Sequence, residues 1–209
     1  MVDIYFLDYL ESIKKSECPI CDSVMKATEA FYSALMYESN SRSIEKYASS
    51  GGFCAPHGEK FISFVQSNPD LGGGLSAISL VLGQIELEEE IFKKSHSGKR
   101  ATHHFECPAC KTARLRESNS INDISKLVNS GGINLFDLGN SICFPHYSKL
   151  IGLLKIHQRD EMTARIHEYL QKLEKDLLQY RASYEHDSKG GIYLGGLWKK
   201  AMTKFTGKF

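Results

Sequence analysis

Six cysteines and two of the eight histidines form a pattern that can hold metal ions. They occur as two Cys-x-x-Cys pairs and two Cys-x-x-His pairs, and every cysteine of the chain belongs to one of them. The pairs are Cys18 with Cys21, Cys54 with His57, Cys107 with Cys110, and Cys143 with His146. Thiolates and imidazoles at such paired short spacings are the ligands of tetrahedral zinc. The pattern predicts two metal sites, each with three cysteines and one histidine.

The order of the pairs along the chain predicts how they are shared between the two sites. We assign Cys18, Cys21, Cys54 and His57 to one site, and Cys107, Cys110, Cys143 and His146 to the other. The first two pairs and the last two pairs are two copies of one motif. The open alternative is that each site combines pairs from both copies. A site with four protein ligands has no position for a reactive water, so a structural role is expected.

Two zinc ions are the expected cofactors, because three sulfurs and one imidazole nitrogen suit zinc. Iron–sulfur clusters are the alternative, although histidine is their rarer ligand. The cysteines could instead be small core residues. Their confinement to the four pairs argues against that interpretation.

The ligand pairs are expected to lie at the starts of helices. Apolar residues recur at intervals of three and four after Cys18, and Pro19 and Pro56 fit the first turn of a helix. Similar spacing predicts a short helix over residues 3–15 and another around residues 43–48. It also predicts a long helix whose apolar stripe runs from Met162 to Tyr184. No segment shows sustained strand alternation, so the predicted fold class is all-α.

The four ligand positions of the first copy recur 89 residues later in the second, which indicates an internal duplication. The segment Glu38–Ser41 reappears at 117–120, an offset of 79, so the first helix of the second copy is expected to be about ten residues shorter. We predict metal-binding helical repeats at 1–95 and 103–155, then a long helix and a short packing helix at 156–209, in one compact domain. A linker is expected at residues 95–102.

Composition excludes some classes of function. Lys and Arg total 26 against 25 Asp and Glu, a net charge of +1, so no overall positive field attracts nucleic acid. The N-terminus contains Asp3 and Asp8 and no basic region, and no apolar run approaches the roughly 20 residues of a membrane span. A cytoplasmic protein that binds neither nucleic acid nor membrane is expected.

These motifs resemble an uncharacterised prokaryotic family, a domain of unknown function. The resemblance rests on Glu17-Cys18-Pro19-Ile20-Cys21, Tyr37-Glu38-Ser39, Gly51-Gly52-Phe53-Cys54-Ala55-Pro56-His57, Cys143-Phe144-Pro145-His146, and the more distant Arg181, His186 and Trp198. It spans most of the chain, and residues 190–196 depart from the acidic stretch expected of the family. The resemblance implies the duplicated architecture and adds no substrate.

Three hypotheses for function follow from the sequence. The first is a zinc-stabilised helical scaffold, not itself an enzyme, that binds a partner protein or a small ligand between its halves. The second is an iron–sulfur protein for electron transfer or redox sensing. The third is an enzyme with an active site between the long helix and the C-terminal segment, using Glu185 or His186. Additional ligands from His96, His103 or His104 are a weaker possibility than solvated histidines.

Overall fold

The computed structural model describes residues 4–37, 47, 50–71, 73–96, 106–186 and 196–207. These residues form α-helices and short 3₁₀ turns with no strand among them, which confirms the all-α prediction. The helices are α1 Ile4–Lys14, α2 Pro19–Tyr37, α3 Ala55–Ser67, α4 Gly73–His96, α5 Pro108–Asn129, α6 Leu135–Ser141, α7 Phe144–Leu150, α8 Ile156–His186 and α9 Leu197–Thr206. Within this described part, no helix has the length and apolar character needed to cross a bilayer.

The chain divides into two compact units. Unit 1 contains Met1–Val24 and Glu117–Phe209, and unit 2 contains Met25–Arg116. Unit 1 is therefore discontinuous in sequence, and these boundaries differ from the predicted segments 1–95, 103–155 and 156–209. The predicted short helix near residue 45 and most of the predicted linker lie outside the described residues.

In unit 1, the short helix α6 packs against the long helix α8 and also contacts α1. The C-terminal helix α9 contacts α7 and α8. Six large apolar side chains among the described residues of this unit are completely buried, namely Ile20, Ile124, Leu138, Ile142, Leu150 and Met162. An isolated helix of seven residues is not stable in water, so packing of Leu138 and its neighbours against α8 is what stabilises α6.

In unit 2, α3 packs against α4, and aromatic rings dominate the core. Tyr32 lies edge-on to Phe53 and Phe61 with ring centroids 5.6 and 5.4 Å apart. Its hydroxyl donates a hydrogen bond to the carbonyl of His57 at 3.1 Å. Because aromatic pairs favour such edge-to-face geometry, the core holds the first turn of α3 in place.

The structure overturns one prediction about helix length. The first helix of the second copy, α5, runs for 22 residues from Pro108 to Asn129 and does not end near residue 117. Residues 117–120 do not end α5, because the helix continues with Ile121, Ile124 and Val128 on a buried stripe. Ser120 is buried there and donates a hydrogen bond to the hydroxyl of Ser23 at 3.1 Å. A Glu-Ser-Asn-Ser segment weakens a helix only modestly, and packing outweighs that preference.

Candidate metal centres

The eight predicted ligands come together in two groups, and the grouping corrects the predicted assignment. We call centre 1 the group of Cys18, Cys21, Cys143 and His146, and centre 2 the group of Cys54, His57, Cys107 and Cys110. Each centre therefore joins a Cys-x-x-Cys pair from one copy to the Cys-x-x-His pair of the other. Each also lies wholly within one unit, centre 1 in unit 1 and centre 2 in unit 2.

The course of the chain explains why pairs of the same copy do not meet. The 19 residues of α2 rise by about 28 Å, and they lead away from the Cys18 pair. Cys54 and His57 follow that helix and begin α3, where the Cys107 pair at the start of α5 completes their set. The equal spacing of the ligands along the sequence does not determine which pairs are neighbours in space.

All four pairs occupy the same position relative to a helix. Cys54 and Cys143 are N-cap residues with extended backbones, and a proline stands within the next two positions in each case. Cys18 and Cys107 immediately precede α2 and α5, and their carbonyls accept the first helical hydrogen bonds, from Asp22 and Lys111. The second ligand of each pair follows three residues later, on the same face of the first turn.

This placement suits thiolates. The start of a helix carries unpaired N–H groups and the positive end of the helix dipole, which together favour negative charge. The N-cap residues Cys54 and Cys143 place their sulfurs at two of these helix starts. Two helix starts are thus directed at each centre, which favours the thiolate form that binds a metal ion.

Centre 1 is the more deeply buried of the two. All four of its residues are buried, and His146 has no exposed surface. The Nδ1 atom of His146 lies 3.4, 3.4 and 3.1 Å from the sulfurs of Cys18, Cys21 and Cys143. The sulfurs of Cys21 and Cys143 are 3.7 Å apart.

Centre 2 has similar dimensions and more exposure. The Nδ1 atom of His57 lies 3.2, 3.7 and 3.3 Å from the sulfurs of Cys54, Cys107 and Cys110. The sulfurs of Cys54 and Cys110 are 3.7 Å apart. Three of the four residues are only partly buried, and Cys107 is the exception. Solvent therefore reaches centre 2 more readily than centre 1.

These distances fit one tetrahedral ion at each centre. A zinc ion bound at about 2.3 Å from sulfur and 2.0–2.1 Å from nitrogen would separate two sulfurs by roughly 3.8 Å, and sulfur from nitrogen by roughly 3.6 Å. The separations given above lie close to those values, and all four ligand atoms of each centre fall within 4.8 Å of one another. None of the six cysteines forms a disulfide, so no such bond competes with a metal ion for the sulfurs.

The pKa values of individual thiols are shifted in both centres. Burial raises the pKa of Cys18, but hydrogen bonds from Cys143, Cys21 and His146 outweigh it and hold that pKa well below its ordinary value. In centre 2, burial and the neighbouring sulfurs raise the pKa of Cys110 to about 12. Some thiols therefore keep their protons until a metal displaces them, which is the usual chemistry of metal–thiolate sites.

A carboxylate orients the histidine of centre 1. With its Nδ1 atom facing the sulfurs, His146 donates a hydrogen bond from Nε2 to Glu117 Oε1 at 2.9 Å. The same oxygen accepts a hydrogen bond from Lys149 at 2.6 Å. Partial burial raises the pKa of Glu117, but Lys149 and His146 outweigh it and hold the pKa below its usual value. Such carboxylate–histidine pairs fix the ring and make it a better ligand.

Loss of this carboxylate is expected to weaken metal binding at centre 1 alone. Because the partner of a ligating histidine contributes to its orientation and basicity, Glu117→Ala should lower zinc affinity at centre 1 by about 10- to 100-fold, with Glu117→Gln in between. Competition with a fluorescent zinc chelator measures the affinity of both centres in one titration. Glu168→Ala, which removes an exposed carboxylate paired with Arg165 at 3.1 Å, is the control. Unchanged affinity in Glu117→Ala would contradict a role for this pair.

A small cavity of about 220 Å³ adjoins centre 1, and Cys18, Cys21 and Cys143 form part of its wall. The amine of Lys204 also lines it, donating hydrogen bonds to the carbonyls of Gly139 and Asn140 at 3.0 Å each. Burial lowers the pKa of Lys204 to about 8, although the sulfurs of Cys18 and Cys143 oppose that shift. When protonated, this amine offsets negative charge on the thiolates of centre 1.

The sequence pattern did not single out Glu117 or Lys204. The continuing stripe of Ile121, Ile124 and Val128 was the signal that could have placed Glu117 on a helix two turns after Cys110. Nothing local marks Lys204, since lysine on an amphipathic helix is usually exposed.

The remaining candidate residues from the sequence are the additional histidines and the residues of the enzyme hypothesis. His103, His104 and the side chains of His96, Glu185 and His186 lie outside the described residues. An apolar hollow of about 510 Å³ runs along α8 and is lined in part by Leu170, Leu177 and Phe205. This hollow occupies the region where the enzyme hypothesis expected an active site, next to the C-terminal helix.

Comparison with known proteins identified no relative from which the geometry of the centres could be inferred. No protein-family model, curated protein or solved structure matches the chain. The resemblance inferred from the motifs therefore stays a prediction, and the centres themselves carry the functional argument.

Proposed function

We propose that this chain is a zinc-dependent helical scaffold. Its two Cys3His centres bind one zinc ion each and hold the starts of two helices together. The scaffold then acts by binding a partner protein or a small ligand at a surface away from the centres. The observation that carries the proposal is the closure of each centre by four protein ligands within 4.8 Å of one another.

Closure supports a structural role because catalytic zinc keeps one coordination position for water or substrate. In each centre three sulfurs and one nitrogen already supply a full tetrahedral set. The free energy of metal binding is then available to the fold, as in other small proteins with structural zinc.

The ligand spacing supports single ions over iron–sulfur clusters. A cluster contains several irons and bridging sulfides, so its protein ligands stand further apart than those of one ion. The sulfur pairs at 3.7 Å in both centres match the edges of a tetrahedron around a single ion. Zinc is the metal that most often occupies such sulfur-rich tetrahedral sites.

Elemental analysis together with an absorption spectrum of freshly purified protein tests the proposal. We expect about two zinc ions per chain and no visible absorption, because zinc has a filled d shell. Purification without added metal and under anaerobic conditions guards against exchange and oxidation. A brown protein containing iron and sulfide in stoichiometric amounts would contradict the proposal and favour electron transfer or redox sensing.

A further inference from the structure

One face of α4 presents a regular apolar seam to solvent. Its members recur at alternating intervals of three and four residues over five turns. They are Leu75, Ile78, Leu82, Ile85 and Phe92, with exposed fractions of 78, 56, 54, 49 and 65%. Glu89 fills the one remaining position of this heptad pattern. Such a repeat is the pattern of a helix that pairs with another helix.

The seam is distinct from the face of α4 that packs on unit 2. Leu80 is 1% exposed and belongs to the unit 2 core, with Ala77 packed against it. Leu87 and Ile91 continue that inward face and are partly buried. A helix that is apolar on two opposite faces is normally covered on both. The seam is therefore a second packing surface.

We propose that the seam is a homodimer interface, in which α4 of one copy packs antiparallel against α4 of a second copy. This inference goes beyond the proposed scaffold function and does not depend on the identity of the metal. It commits to self-association because the seam is complementary to itself when two copies are related by a two-fold axis. Leu75 then lies opposite Phe92, and Leu82 lies opposite Ile85.

The distribution of charge selects the antiparallel orientation. Residues 73–85 contain no charged side chain, whereas four glutamates follow at Glu86, Glu88, Glu89 and Glu90. Parallel pairing would bring the glutamates of both copies together and repel them. Antiparallel pairing places each acidic half beside the uncharged half of the other copy. Glu89 then lies opposite Ile78.

The area of the seam bears on whether the dimer is permanent or transient. Aromatic side chains bury about 150–250 Å² each, and leucine and isoleucine lie near or below the lower end of that range. Five side chains that are half to three-quarters exposed therefore offer on the order of 500 Å² per copy. Two copies would bury roughly 1,000 Å², which is at the lower limit of specific interfaces. Interfaces of this size are typical of transient complexes, so the expected dimer is a reversible one, with a dissociation constant on the order of micromolar.

Sedimentation of the zinc-loaded full chain over a range of concentrations tests the proposal. We expect a monomer–dimer equilibrium, and Ile78→Glu should weaken the dimer by at least tenfold because it opposes Glu89. Ile78→Lys should leave the dimer intact or tighten it, because lysine there pairs with Glu89 of the second copy. Ile62→Glu, the same substitution at an exposed position of α3, is the control and should change nothing.

Each contrary result overturns a defined part of the proposal. A protein that stays monomeric at about 100 μM, well above the expected dissociation constant, removes the dimer altogether. Equal weakening of the dimer by Ile78→Lys and Ile78→Glu would exclude the antiparallel arrangement. Unchanged association in Ile78→Glu would exclude the seam as the interface. Leu82→Ala adds no charge and should also weaken the dimer, which keeps the test decisive if a charged variant folds poorly. Circular dichroism establishes that each variant retains its helices.

Discussion

Removal of both metal ions by a strong chelator is expected to unfold most of the helical structure. Structural zinc in zinc-finger peptides contributes an apparent binding free energy of about 10–16 kcal/mol, while a whole domain is stable by only about 5–15 kcal/mol. Without the ion, centre 1 becomes a set of buried thiols and an imidazole that no apolar packing replaces. Circular dichroism at 222 nm and the melting temperature measure the loss.

The two centres are expected to release their ions in sequence. Three ligands of centre 2 are partly exposed, whereas every ligand of centre 1 is buried. A chelator can remove the ion only where the centre is accessible to solvent or after local unfolding exposes it, so metal should leave centre 2 first. Time-resolved release into a coloured chelator should therefore show two phases, with the slower phase accompanying the larger loss of helix.

The same chelator saturated with zinc is the matched control, because it has the same chemical properties but can no longer remove zinc from the protein. Readdition of zinc to the stripped protein should restore the helical signal. Unchanged helix content and melting temperature in a protein shown to contain no metal would contradict the structural role of the centres.

Helix starts were the part of the fold that local sequence could predict. Pro19 and Pro56 lack an N–H and have a fixed φ, so they suit the first turn of a helix, and α2 and α3 begin there. The stripe from Met162 onward likewise predicted α8. Such signals depend on a few neighbouring residues, which is why a single sequence contains them.

The grouping of the ligands was not predictable in the same way. The Cys54 pair and the Cys143 pair have the same local pattern, and both complete a Cys-x-x-Cys pair at the start of another helix. Which pair meets which depends on the lengths and directions of α2 and α5. The assumed break at residues 117–120 hid the full length of α5, and with it the contact between Glu117 and His146.

Exchange of ligands between the copies predicts a large difference between two double variants. In Cys18→Ala/Cys143→Ala, both substitutions fall in centre 1, so centre 2 keeps all four of its ligands. In Cys18→Ala/Cys54→Ala, each centre loses one ligand, so neither keeps a complete set. Each variant loses two cysteines, which makes them controls for one another.

The most direct test is the amount of tightly bound zinc per chain after dialysis of both variants against a chelator of moderate affinity. The structure predicts about one ion in Cys18→Ala/Cys143→Ala, because one complete four-ligand site remains, and close to none in Cys18→Ala/Cys54→Ala. The reverse result would show that each site is built within one copy, and it would contradict the arrangement of both centres.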